Sequence, residues 1–135
     1  MNLVSVRIIT DNVAALAAFY ERLTGGTVVH LTDDFAEVRT PSATIAVGST
    51  RTVALFGAGS AEPGANRSLI VEFLVDDVDA VYERLAGWVT TFVNRPTTLP
   101  WGNRSLLLRD TDGTLVNLFT PVSPDAIQRF AETPR

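Results

Sequence analysis

The sequence predicts an α+β fold built from two similar halves that pack together about a pseudo-twofold axis. Three observations point there. Each half reads as a strand, a helix and then several more strands. One Gly/Ala/Pro-rich stretch, Gly57 to Asn66, divides them. Short strings recur at an offset of 62 to 63 residues: Tyr20-Glu21-Arg22-Leu23 returns as Tyr82-Glu83-Arg84-Leu85, and Leu55-Phe56 as Leu118-Phe119. A half this small struggles to close a core of its own, so the halves are expected to pack on each other.

The elements follow in order. Ser5 to Thr10 alternates as a strand. Asp11-Asn12 offers a helix cap, and Val13, Leu16, Ala17, Tyr20 and Leu23 recur at helical spacing until Gly25-Gly26 stops the run. Strands are expected at Thr27–Leu31, Phe35–Arg39, Ala43–Val47 and Thr52–Phe56. Thr40-Pro41-Ser42 reads either as a turn between strands or as a kink within one. The second half opens with Leu69–Val75, then a helix capped by Asp76-Asp77 with Val78, Val81, Tyr82 and Leu85 inward and Gly87 at its end. Trp88–Asn94 reads as a strand and Arg95 to Gly102 as a loop. Ser105–Arg109 and Leu115–Thr120 read as strands around the turn Asp110-Thr111-Asp112-Gly113. Ser123 with Pro124 at the first position opens a last helix, Pro124–Ala131.

Composition removes several function classes. The chain has 135 residues, 46% hydrophobic, enough for one domain with a sizeable core. Zero cysteines exclude a disulfide scaffold and a thiolate site, and the single His30 argues against a multi-histidine metal site. Eleven basic against fifteen acidic residues, with no basic run, argue against nucleic acid. No apolar run approaches ~18 residues, so no membrane span is expected. Met1 to Ser5 lacks a signal-peptide pattern, so the expected setting is the cytoplasm.

Val6-Arg7-Ile8-Ile9-Thr10-Asp11-Asn12 with Phe19-Tyr20, then Phe73-Leu74-Val75-Asp76-Asp77-Val78-Asp79-Ala80, and above all Pro100-Trp101-Gly102 with Asp110-Thr111-Asp112-Gly113-Thr114-Leu115-Val116-Asn117-Leu118-Phe119, resemble the glyoxalase / bleomycin-resistance / extradiol-dioxygenase (vicinal oxygen chelate) superfamily over about residues 3 to 121. The resemblance implies paired βαβββ modules whose curved mixed sheet encloses a cleft, and often a homodimer. It divides one glyoxalase-like domain, 1–135, into module one (about 1–58), a linker (59–66), module two (about 67–121) and a C-terminal helix (122–135).

Enzymes of that family hold a divalent metal with His, Gln or Glu from the first and last strands of each module. Carried over, those positions fall on Ser5, Ile70 and Asn117, with Ala54 as the repeat mate of Asn117. An alignment anchored on Asp11 instead moves Ser5 to Val4. Such side chains suit a hard cation poorly. The resemblance therefore points to a member without the family metal site and with no cofactor.

If Ser5 and Ile70 face the cleft, alternation places Arg7, Ile9, Glu72 and Leu74 there too. Arg7 and Glu72 are repeat equivalents and are candidates for an ion pair, structural or ligand-facing. Trp101 precedes the penultimate strand and reads as an aromatic lid or as packing for its loop. Asn117 offers donor and acceptor. Phe56 and Phe119 are expected on the outer face against helices, and His30 reads as structural. The expected ligand-binding set is Arg7, Ile70, Glu72, Leu74, Trp101 and Asn117, receiving a small organic molecule in an antibiotic- or metabolite-sequestering protein of the bleomycin-resistance kind. One alternative is a metal-independent enzyme with Glu72 as acid/base and Arg7 stabilising an enolate-like state. Others are a metal-dependent lyase or dioxygenase, if the ligand alignment is wrong, and an interaction domain with no small ligand.

Overall fold

Six residues at the start of the chain form a strand, β1 (Ser5–Thr10), and Asn12 then turns it into helix α1 (Val13–Thr24) by accepting a hydrogen bond from the Ala15 N–H at 3.0 Å. Strands β2 (Thr27–Thr32), β3 (Phe35–Arg39) and β4 (Thr44–Ser49) follow, then a short helix, α2 (Thr50–Phe56). The second round runs β5 (Ile70–Leu74), α3 (Val78–Leu85), the two-residue β6 (Thr97–Thr98), β7 (Asn103–Arg109), β8 (Leu115–Pro121) and α4 (Pro124–Phe130). This computed structural model describes all of residues 1–135. No helix is long and apolar enough to cross a membrane.

The α+β reading holds: there are two four-stranded mixed sheets, ordered β1-β4-β3-β2 and β5-β8-β7-β6. In each, the first strand pairs parallel with the fourth, and the remaining pairs are antiparallel. By contacts the chain divides into a first unit, Met1–Asn66 with the turn Asp110–Gly113, and a second unit, Arg67–Arg109 with Thr114–Arg135.

In the first unit α1 buries Leu16, Ala17, Tyr20 and Leu23, and the sheet buries Ala36, Val38, Ile45 and Val47. In the second, α3 buries Val78 and Leu85, and the sheet buries Leu106, Leu108, Val116 and Leu118. Each fully buried aliphatic side chain contributes roughly 1.5–3 kcal/mol relative to exposure. Arg104 of β7 fastens α3 from the same side, its Nε and Nη2 donating to Asp79 at 2.7 and 2.8 Å, which holds the Asp79 carboxyl below its ordinary range.

Two expected strands are absent. Thr52–Phe56 is helical because Ser49 caps it, accepting from the Arg51 N–H, while the Thr52 hydroxyl bonds back to the Ser49 carbonyl at 2.7 Å. Only Val53 is buried, whereas a strand would bury alternate residues. Trp88–Asn94 is irregular apart from one bridge, Phe92 to Leu108. Its chain first turns back, Trp88 and Val89 both donating to the Leu85 carbonyl. Further on, the Asn94 side chain accepts from the Leu107 N–H at 2.7 Å, so a side-chain carbonyl stands where a strand's backbone would.

The real repeat also differs in register. Asn12 and Asp77 cap equivalent helices. Counting from them, buried Tyr20 corresponds to buried Leu85, not to half-buried Tyr82. The Tyr-Glu-Arg-Leu coincidence therefore does not mark equivalent places. Leu55-Phe56 lies in a helix and Leu118-Phe119 in a strand, so that match fails as well. The true counterpart of α4 is α2. Ser49 and Ser123 cap them alike, and Phe56 and Phe130 occupy the same seventh position.

Tyr20, fully buried, donates from its hydroxyl to Asp110 at 2.7 Å, and that carboxylate also caps the turn by accepting from the Asp112 N–H. Burial and the Asp110 charge push the Tyr20 phenol far above its ordinary range, so it serves only as a donor. Asp112 is held above the ordinary carboxylate range, chiefly by burial and further by the charges of Asp110 and Asp11, against a hydrogen bond from Thr10. The folded chain therefore binds the Asp112 proton more readily than the unfolded chain does. That contribution is present below the ordinary carboxylate pKa and is lost as pH rises through the raised one. Asp112→Asn is accordingly expected to be more stable than wild type at neutral pH, with the gap closing in acid. Urea unfolding at stepped pH checks this; a gap independent of pH contradicts it.

Candidate functional site

Strand alternation and one-sided helix cover define the candidate site. In the second unit α3 covers the face of Leu106, Leu108, Val116 and Leu118. The opposite face carries the register row Glu72–Asn117–Leu107 and, beside it, Leu74–Phe119–Ser105. Ile70 and Asn103 lie on this face too. Four of the expected ligand-binding residues, Ile70, Glu72, Leu74 and Asn117, share this one face. Ile70 is 44% exposed.

Glu72 and Asn117 are neighbours across the parallel pair, and Asn117 Nδ2 donates to Glu72 Oε2 at 2.6 Å. An ionised carboxylate only accepts, so the amide has to turn its nitrogen toward Glu72. Its Oδ1 then points elsewhere, buried and without a donor. Two further polar atoms on this face are in the same condition, Ser105 Oγ and Asn103 Oδ1. A buried polar atom left unpaired costs about 1–3 kcal/mol, so three on one face is an unusual concentration.

Phe119 is corrected by this register. It was expected on the outer face, but it shares the face of Asn117, where Phe130 of α4 meets it edge-on at 5.1 Å. Asn117 and Phe119 are two residues apart in one strand, so alternation alone carried the signal.

In the first unit the equivalent row is Arg7–Ala46–Glu37–Val29. Arg7 pairs with Ala46 as Glu72 pairs with Asn117, which makes Arg7 and Glu72 equivalent positions. Ala54 is not the last-strand position: it lies exposed in α2, and Ala46 of β4 takes that place. Within their own units the two charged residues have different company. Glu72 has the Asn117 amide. Arg7 has two rings, its Cζ standing 4.7 Å from the Phe35 centroid and 5.1 Å from that of Phe56. Glu37 is engaged by Arg39, whose Nε and Nη2 donate to Oε2 at 3.0 and 2.7 Å. Phe56 was expected on the outer face; as part of α2 it lies over Arg7.

Trp101 is 62% exposed in the turn before β7. His30, read from the sequence as structural, is exposed on β2. Reasoning from sequence missed Ser105, Asn103, Phe35 and Ala46. Ser105 was reachable by alternation from Leu107; Phe35 gave no signal, since nothing in the chain says that an arginine two strands away reaches it.

Asn117→Asp sets a second carboxylate against Glu72 and removes the donor. It is expected to cost about 1 kcal/mol at neutral pH. Denaturant midpoints compare the two proteins; unchanged stability contradicts the assigned contact.

A model of the Glyoxalase/Bleomycin resistance protein/Dioxygenase superfamily matches residues 2–118. Among solved structures, the chain is similar to a glyoxalase/bleomycin resistance protein/dioxygenase from Nocardioides, at 21% identity over 92% of this chain and 85% of that one, with a TM-score of 0.75. A family enzyme from Burkholderia phytofirmans PsJN aligns at 18% identity over 90% and 100%, TM-score 0.80. A glyoxalase-related enzyme from Fulvimarina pelagi aligns at 17% over 93% and 94%, TM-score 0.74. At such identities these structures bear on the fold alone. No curated protein matches the sequence.

Proposed function

The chain belongs to the glyoxalase/bleomycin resistance protein/dioxygenase superfamily, and from that premise we propose that it binds a small organic molecule without using the family's divalent metal. Superfamily membership supports small-molecule binding as the broad role. The finer reading is sequestration of a metabolite or antibiotic, with Ile70, Glu72, Leu74 and Asn117 among the receiving residues.

One observation carries this reading. Asn117 Oδ1 is fixed away from Glu72 and is buried without a donor, and Ser105 Oγ and Asn103 Oδ1 on the same face are buried without partners too. An exposed carboxylate and two amide carbonyls make this face rich in acceptors. It suits a molecule that brings N–H or O–H donors, while Ile70, Leu74, Leu107 and Phe119 supply apolar contact. Orientation then comes from a few polar groups, and affinity from removing apolar surface from water.

The same chemistry supports a role without the metal. The positions that the family fills with ligands carry Ser5, Ile70, Asn117 and Ala46 here. Of the carboxylates in register beside these positions, Glu72 has one oxygen engaged by an amide N–H and Glu37 one engaged by Arg39. These residues do not fit a divalent cation, which wants several charged or imidazole ligands.

Native and denaturing mass spectra of freshly purified protein test the proposal together. The expected result is a noncovalent organic mass, without metal, on a particle of twice the chain mass, with occupancy falling in Asn117→Ala. A stoichiometric divalent metal overturns the reading. So does a bare protein whose melting temperature no N–H-bearing compound raises.

A further inference from the structure

We propose that the first unit carries a carboxylate-binding site anchored by Arg7, with the exposed ring of Phe56 receiving the apolar body of the same molecule. The inference rests on the reading above, that the faces turned away from α1 and α3 hold small molecules. It adds an anionic class of ligand held by residues of the first unit.

The arginine is positioned by an absence of side chains beneath it. Arg7 starts on β1, and the ring it reaches, Phe35, lies on β3, with β4 between them. The β4 residues crossed are Ala46 and Gly48, and Gly48 stands in register with Phe35. A Cβ at Gly48 would lie 3.8 Å from Arg7 Cδ, 3.3 Å from Ile9 Cδ1 and 2.9 Å from Thr52 Oγ1. Thr52 and Ile9 crowd that position, and the arginine stem passes over it at ordinary contact distance, so the glycine leaves the path to Phe35 open.

The charge at its end is uncompensated. Of the neighbouring carboxylates, Glu37 is held by Arg39 and Asp34 by Arg51, whose Nε donates at 2.6 Å. Within its own unit Arg7 has no hydrogen-bond acceptor and no ion pair; its company is the two rings. Ring faces attract the charge but leave the five N–H donors of the guanidinium unused. A carboxylate takes two parallel N–H bonds from that planar fork. A single guanidinium balances one negative charge, which favours a carboxylate over a phosphate dianion.

Phe56 gives the second observation. It is 73% exposed, while its repeat equivalent Phe130 packs on Phe119. The place of Phe119 is held in the first unit by Gly48, since Leu74–Phe119 and Ile9–Gly48 are equivalent pairs. Phe56 therefore has no ring to dock on and leans on the guanidinium instead. An apolar ring open to solvent beside an unpaired cation recognises an organic acid rather than a bare anion.

Benzoate is the probe, with benzamide and inorganic phosphate as controls. Titration is followed by the Arg7 Nε–H resonance in nitrogen-15-labelled protein and by calorimetry. Benzoate is expected to shift that resonance, and benzamide to leave it in place. Arg7→Met is expected to weaken benzoate at least about tenfold, and Arg7→Lys, which keeps the charge but loses the fork, by less. Phe56→Ala is expected to weaken it several-fold, and melting curves confirm that each variant is folded. An unmoved Arg7 resonance, or equal benzoate affinity in Arg7→Met, overturns the proposal. Phosphate binding as well as benzoate overturns the carboxylate assignment. If benzoate fails while wild type still retains an Asn117-dependent molecule, this proposal falls alone; loss of every bound molecule removes the broader reading instead.

Discussion

A strand has two faces, and in each unit of this protein a helix takes one of them. That constraint organises the rest. Once α1 covers Val38, Ile45 and Val47, and α3 covers Leu106, Leu108 and Leu118, a pleat of period two sends Arg7, Glu37, Glu72, Asn117 and Ser105 to the other side. A register slip by one residue would bury Arg7 and Glu72 under helices, at a cost far above that of any single contact on the open face. The polar face is thus a consequence of the apolar one, and its chemistry is whatever the alternate strand positions turned away from the helix supply.

The two units use the same scaffold differently. Equivalent positions hold Arg7 and Glu72, Ala46 and Asn117, Gly48 and Phe119. In the second unit the larger residues interact with each other: the amide holds the carboxylate, and Phe119 receives Phe130. In the first, the small residues let Arg7 lie across the sheet to Phe35. A repeat that keeps its register while exchanging charge and volume yields two surfaces of opposite preference, one offering acceptors and the other a cation.

Much of this was legible in the chain, for physical reasons that differ by element. The caps Asn12 and Asp77, and the apolar spacing after them, gave the long helices, since capping and amphipathic period are local signals. Alternation puts Ile70, Glu72, Leu74 and Asn117 on one face, as the strand register does. It fails for Thr52–Phe56, where the Ser49 cap starts a helix despite the apolar and β-branched content. The same parity puts Phe119 on the face of Asn117. The repeat was real, but the matching tetrad used to find it was misleading: shared helix formers recur without equivalence, whereas caps and strand register define it. What no local pattern shows is reach. The Arg7–Phe35 contact crosses the strand between them at a glycine, and the Tyr20–Asp110 hydrogen bond joins residues far apart in sequence.

The central claim is that small molecules meet the face carrying Glu72 and Asn117 and not the face under α3. Methyl-labelled protein titrated with a small-molecule extract tests it most directly. Leu74 and Leu107 lie on the open face; Leu106, Leu108 and Leu118 lie under the helix. The account predicts that the resonances of the first pair move and those of the second group stay. Movement confined to Leu106, Leu108 and Leu118 would contradict it.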